Sequence, residues 1–218
     1  LSSVSFKNVN LSIAGTINAQ AVSLGGTNSI TLLDNTTFPS INAVENISIE
    51  TNDHSLTLNG NTNLAGYNFS TTSAGEVIIS AGMTFNANDG SVNGTPKASS
   101  ISIGGNLTNN GTLILGSGTV NISGDLTNQQ RIIINTGKLS ISGNLENNST
   151  FTPNSSEIHI AGNFTNNSSF ESTSETLHIA KDFNDTSTIS TIYNHVILGG
   201  APTSSIISTN QFNNLQII

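Results

Sequence analysis

The segments ISIGGNLTN (101–109), VNISGDLTN (120–128), LSISGNLEN (139–147), IHIAGNFTN (158–166) and LHIAKDFND (177–185) follow one another at a fixed interval of 19 residues. Aligned on that interval, the chain resolves into columns. Ile101, Val120, Leu139, Ile158 and Leu177 share one position, and Ile103, Ile122, Ile141, Ile160 and Ile179 share the position two residues on. Gly105, Gly124, Gly143 and Gly162 come next, and Lys181 breaks the glycine column. Leu107, Leu126, Leu145, Phe164 and Phe183 follow. A fourth apolar column, Leu113, Ile132, Phe151, Phe170 and Ile189, lies six residues further on. The frame continues through Val196, Leu198 and Gly200, and again through Leu215 and Ile217.

Within each unit apolar and polar residues alternate, the period of a strand whose side chains point to opposite faces in turn. Gly-Asn and Asn-Asn clusters divide the alternating runs into short strands. A unit with only about four inward apolar side chains cannot bury a core alone. Stacked on its copies at ~4.8 Å per step it can, because each column becomes a continuous internal ladder. The expected fold is therefore all-β, a parallel β-helix or β-solenoid. An antiparallel sandwich would not require one fixed translation of 19 residues. The frame points Ile141 inward and Ser140 outward, so a carboxylate at 141 would be buried unpaired while one at 140 would meet water.

The first hundred residues keep the motif less strictly. Leu11, Ile13, Gly15 and Ile17 fit the frame, and Ile30 and Leu32 fall 19 residues on. Leu56, Leu58 and Gly60, then Val77 and Ile79, read as the next coils at spacings of 26, 21 and 24. The extra residues are expected in loops such as 86–99, which carries Asn-Asp-Gly and Gly-Thr-Pro turns. No shift in composition marks a boundary. The expectation is one elongated domain over 1–218, with irregular coils in 1–100 and regular coils in 101–218. About ten coils would make a rod roughly 50 Å long. The chain stops at Ile218, four residues into a new coil, which reads as a fragment or an uncapped end.

Composition removes several function classes. Asn, Ser and Thr supply 92 of 218 residues, which disfavours helix interiors and with them a helical bundle. Charged residues make up 8%, the net charge is −8 and the pI near 4.6, so a nucleic-acid binder's basic footprint is missing. No apolar stretch approaches the length of a membrane span. With no Cys there is no disulfide framework, thiolate metal site or Cys nucleophile.

Stacking brings residues 19 apart together, so chemistry is sought by column. Asn109, Asn128, Asn147 and Asn166 form a column expected to make a structural amide ladder at a corner tolerant of left-handed backbone. The column Asn106, Asp125, Asn144, Asn163 and Asp182 holds its two carboxylates three coils apart, too far for an acid/base pair, and reads as solvated corner residues. His159 and His178 share an outward column about 5 Å apart. Asn121, Ser140 and Ile197 complete that column and supply no third ligand, so the pair reads as two solvated imidazoles and no metal is assigned. The densest acidic patch, Asp182 and Asp185 with Glu171 and Glu175, falls on different corners. One Arg, four scattered Lys, and neither a G-x-S-x-G elbow nor a calcium-type G-G-x-G-x-D repeat leave no catalytic residue and no cofactor to assign. An ice-binding face would want a Thr ladder, but Arg131 interrupts the column Thr112, Thr150, Ser169 and Thr188. N-x-[ST] sequons are dense, at Asn10, Asn35, Asn46, Asn68, Asn93, Asn106, Asn121, Asn148, Asn163 and Asn184, as chance at this composition produces.

GNLTNNGTL (105–113), GDLTNQQRI (124–132), GNLENNSTF (143–151) and GNFTNNSSF (162–170) at this spacing resemble the repeats of filamentous haemagglutinin-like and other large bacterial surface exoproteins. The likeness covers residues 101–218 well and the first half loosely. It implies a right-handed β-helical shaft, exported and used for adhesion or as a spacer, and sugars on sequon Asn residues as in high-molecular-weight adhesins. The function expected is thus an extracellular bacterial adhesin shaft or stalk, and not an enzyme. Its partners would be a host or neighbouring-cell surface or a glycan. The alternative is a self-assembling subunit of a filament, sheath or coat, whose partners are further copies end to end. A polysaccharide-active enzyme is a distant third.

Overall fold

The computed structural model describes the chain except residues 1, 8, 26–27, 64–66, 68, 73–76, 81–82, 87–99, 104–105, 110–111, 116–118 and 201–202. The expected loop 86–99 therefore lies almost wholly outside the described residues. Among those described there is no helix, hence none long and apolar enough to cross a membrane, and the strands pair in parallel. The chain winds into a β-solenoid of about nine turns, against the ten anticipated from spacing.

One turn shows how the sequence builds the fold. Lys138–Ile141 forms the first face, Leu145–Asn147 the second and Thr150–Asn154 the third. Bends at Ser142 and Gly143, and at Asn148 and Ser149, separate them. The next turn repeats this with Glu157–Ile160, Phe164–Asn166 and Phe170–Ser172. Strands of three to five residues hold no stable partner within their own turn. Each instead takes its hydrogen bonds from the turns on either side, so the backbone ladders run along the axis, the third-face ladder ending at Phe170–Ser172.

The pairing register equals the sequence interval. Leu139, Ile158, Leu177, Val196 and Leu215 are successive partners on the first face. Ile122, Ile141, Ile160 and Ile179 are buried beside them, and Ser140 is half-buried on the opposite side of its strand. Ile103 pairs with Ile122, though its side chain lies outside the described residues. On the second face Leu107, Leu126, Leu145, Phe164 and Phe183 stack in the core. Each such side chain removed from water contributes roughly 1.5–3 kcal/mol.

The third face forms a nine-stranded sheet, and Leu113, Ile132, Phe151 and Phe170 line its inner side. Ile189, expected to continue that column, is instead 45% exposed. Tyr193 takes the interior space: its ring packs 5.0 Å from Phe170, 5.0 Å from Phe183 and 6.2 Å from Phe164, and it is fully buried.

The first two faces merge into one sheet of 19 strands, because Asn28–Phe38 runs unbroken across both. Its first half pairs with Ile47–Glu50 and its second with Leu56–Leu58. This corrects the spacings of 26 and 24 expected for the early coils. The next-coil partner of Ile30 is Ile49, 19 residues on, and Phe69 and Ile101 are paired further along that face. Leu56 and Val77 belong to the second face, where they are partners 21 apart, and Val77 then pairs with Leu107. The sequence frame merges two faces into one column here, since no Gly-Asn bend marks the corner in Asn28–Phe38.

Candidate functional site

The Asn column is fully buried at the corner between the second and third faces. Asn109 Nδ2 donates to Asn128 Oδ1, Asn128 Nδ2 to Asn147 Oδ1, and Asn147 Nδ2 to Asn166 Oδ1, each at 2.8 Å. The second amide hydrogen of each goes to a third-face carbonyl, Arg131, Thr150 or Ser169, at 3.0 Å. Asn suits the position because one planar amide can accept from the turn before, donate to the turn after and still hold the bend. None of the four has positive φ; among the described residues only Asn52, Asp53 and Asn154 do outside glycine. The left-handed corner expected for this column is therefore replaced by a buried, ordinary backbone.

A ladder of donors that all point one way must end on an acceptor, and the column ends on Asp185. This nearly buried carboxylate accepts from Asn166 Nδ2 at 3.2 Å and the Ser187 amide at 3.0 Å through Oδ1. Through Oδ2 it accepts from the Tyr193 hydroxyl at 2.8 Å and Asn210 Nδ2 at 2.7 Å. Burial, then the Asp185 charge beside it, pushes the Tyr193 phenol far above its ordinary range. Glu175, also buried, accepts from the Thr173 and Asn194 amides. Two members of the acidic patch thus serve as internal hydrogen-bond acceptors. Glu171 accepts from the Thr152 hydroxyl on the surface.

The Asn106 to Asp182 column does more than meet water. Each side-chain oxygen accepts the backbone amide of its successor: Asp125 donates to Asn106 at 2.8 Å, Asn144 to Asp125 at 2.6 Å and Asn163 to Asn144 at 2.8 Å. This explains the glycines. A Cβ at Gly143 would collide with Asp125 Oδ1, and one at Gly162 with Asn144 Oδ1. Where Lys181 replaces glycine, the bond from the Asp182 amide to Asn163 lengthens to 3.2 Å. Asp182 then accepts from the amide and hydroxyl of Ser205, which hold its carboxyl below the usual range.

On the outer side of the first face, His159 and His178 are register partners with rings stacked at 4.2 Å and 9° apart. The column contains no third ligand, but the same strand does. Glu157, two residues before His159, shares its outward side, and Glu157 Oε1 lies 2.5 Å from His159 Nε2 and 3.8 Å from His178 Nε2. Lys138 Nζ stands 3.7 Å from the same oxygen. The hydrogen bond from His159, with the charges of Lys138 and His178 behind it, holds the Glu157 carboxyl below its usual range. Burial, then the neighbouring His159, lowers the His178 imidazole. The alternation E-x-H is the sequence signal for this group, and a search confined to 19-residue columns passes over it.

The remaining positions are separate. His54 and His195 lie off this cluster, the latter in the column of Glu157 but two turns on, with its Nε2 buried and unpaired. Sequon residues Asn10, Asn35, Asn46, Asn106 and Asn121 are exposed, and Asn148, Asn163 and Asn184 half-buried; Asn68 and Asn93 lie outside the described residues. Arg131 pairs with Thr112 and Thr150, so the charge sits in the middle of the Thr column. Comparison of the chain with protein-family models, curated proteins and solved structures finds no match.

Proposed function

We propose that the chain is a shaft of an extracellular bacterial surface protein, acting by display and adhesion and not by turnover. The observation that carries this reading is the division between the two sides of each strand. Inward columns are mainly apolar, with the Asn ladder buried at one corner. Outward columns on the second face run Thr108, Thr127, Glu146, Thr165 and Asn184, short polar side chains repeated turn after turn with one charge among them. Such a face can hydrogen-bond glycans or neighbouring shafts over a long, regular surface, and it presents no convergent donors for a developing transition-state charge. The buried carboxylates Asp185 and Glu175 are engaged in holding the fold.

An antibody raised against the chain tests the location. It is expected to label intact, unpermeabilised cells of the source bacterium. Labelling that requires permeabilisation would contradict the proposal. Sedimentation of the purified chain separates the shaft from the filament subunit: a monomer at all concentrations fits the shaft, and concentration-dependent long fibres would replace it with the subunit.

A further inference from the structure

Glu157, His159 and His178 place one carboxylate oxygen and two imidazole nitrogens within 4.8 Å of one another. From this convergence we propose a binding site for a single borderline divalent transition metal, of the Zn²⁺ class, clipping two adjacent turns on the outer side of the first face. The site needs nothing from the display reading above.

The backbone supplies the geometry. Glu157 and His159 stand two residues apart on one strand and so on one side of it, and strict register puts His178 directly over His159. Both rings are stacked nearly parallel, and the Nε2 atom of each lies within 3.8 Å of the same carboxylate oxygen. Donors around one tetrahedral ion at metal–ligand distances of 2.0–2.2 Å stand about 3.3 Å apart. The observed separations of 2.5 and 3.8 Å from Glu157 Oε1 bracket that value. Side-chain rotations that tilt the two rings out of their parallel stack bring the set onto an ion, and the three groups, a third to a half exposed, have room to make them. A shallow groove of about 380 Å³ borders the cluster, with Ser140, Ser142 and Ala161 among its walls, and leaves space for the ion's remaining water ligands.

The donor set selects the ion. Two imidazoles and one carboxylate suit Zn²⁺, Cu²⁺ or Ni²⁺. Ca²⁺ and Mg²⁺ want several oxygen ligands, and a single carboxylate is a poor host for them. Lys138, 3.7 Å from Glu157, competes with the ion for the carboxylate.

The test is titration of the whole chain with Zn²⁺ at pH 7.5, followed by calorimetry and by ¹⁵N-imidazole resonances. The chain has four His residues, so few ring signals need assignment. One equivalent should bind, shifting the ring nitrogens of His159 and His178 and leaving those of His54 in place. His159→Ala, His178→Ala and Glu157→Gln should each weaken binding by on the order of tenfold or more, and Lys138→Ala should tighten it a fewfold. All four side chains are surface groups, and the resonance shifts in the unaltered chain stand independently of any variant. The proposal is overturned if millimolar Zn²⁺ leaves the His159 and His178 resonances unmoved. It is also overturned if binding survives in the His159→Ala/His178→Ala double variant, or if Ca²⁺ or Mg²⁺ binds as tightly as Zn²⁺.

Discussion

At the scale of single residues, stability concentrates in the buried Asn ladder and its Asp185 terminus. Asn147→Ala leaves Asn166 Oδ1 without its donor and Asn128 Nδ2 without its axial acceptor, both in a dry corner. Removing one partner of a buried hydrogen bond costs about 1–3 kcal/mol, so the variant should lose roughly 2–4 kcal/mol in urea melts. Glu146→Ala, one residue earlier and exposed, should change stability by less than about 0.5 kcal/mol. Equal losses would place the ladder's weight elsewhere. Tyr193 predicts the alkaline limit. Its folded value lies above its ordinary 10.0, so the folded chain keeps a proton that the unfolded chain releases as pH rises past 10. Stability from this group is therefore full below pH 10 and declines above it. Tyr193→Phe, weaker at neutral pH for want of the Asp185 hydrogen bond, should lose that part of the alkaline decline. A slope unchanged in Tyr193→Phe would assign it to other groups.

At the scale of one turn, the repeat behaves as an exchangeable unit, since each turn contacts chiefly its two neighbours. Deleting residues 138–156 joins Gly137 to Glu157 and sets Ile158 over Val120, the same column, so the shortened chain should fold with its strand signature intact. Deleting 18 residues, 138–155, shifts every later side chain to the opposite face and should abolish cooperative folding. Circular dichroism and thermal melting of the two deletions distinguish them; equal behaviour would contradict the register. The same logic explains what is legible in the sequence. From Val120 to Asp182 each turn carries a glycine or its Lys181 substitute before an Asx, and so the columns declare themselves. In Asn28–Phe38 the strand crosses the corner without such a mark, and two faces merge into one apparent column. Ile189 departs from its column because the Asn ladder changes to Asp185, which draws Tyr193 into the core and turns residues 188–190 outward. Glu157 is hidden from a column search because its proximity to His159 arises along the strand, at an interval of two.

At the scale of the molecule, the chain is a rod whose axis is built from in-register turns and whose surface repeats with them. Everything else rests on this geometry: the Asn ladder, the Gly-Asx corners, the stacked His rings and the polar display face. The chain has no Cys, so pairs of spin labels can be placed without removing native thiols. Thr108, Thr127, Glu146, Thr165 and Asn184 are successive outward partners on the second face. Labels fixed at position 184 and moved through 146, 127 and 108 should report distances that grow by about 4.8 Å for each turn, reaching roughly 19 Å, plus the label tethers, at 108. A distance that fails to rise steadily with each 19-residue step would contradict the stacked, parallel solenoid.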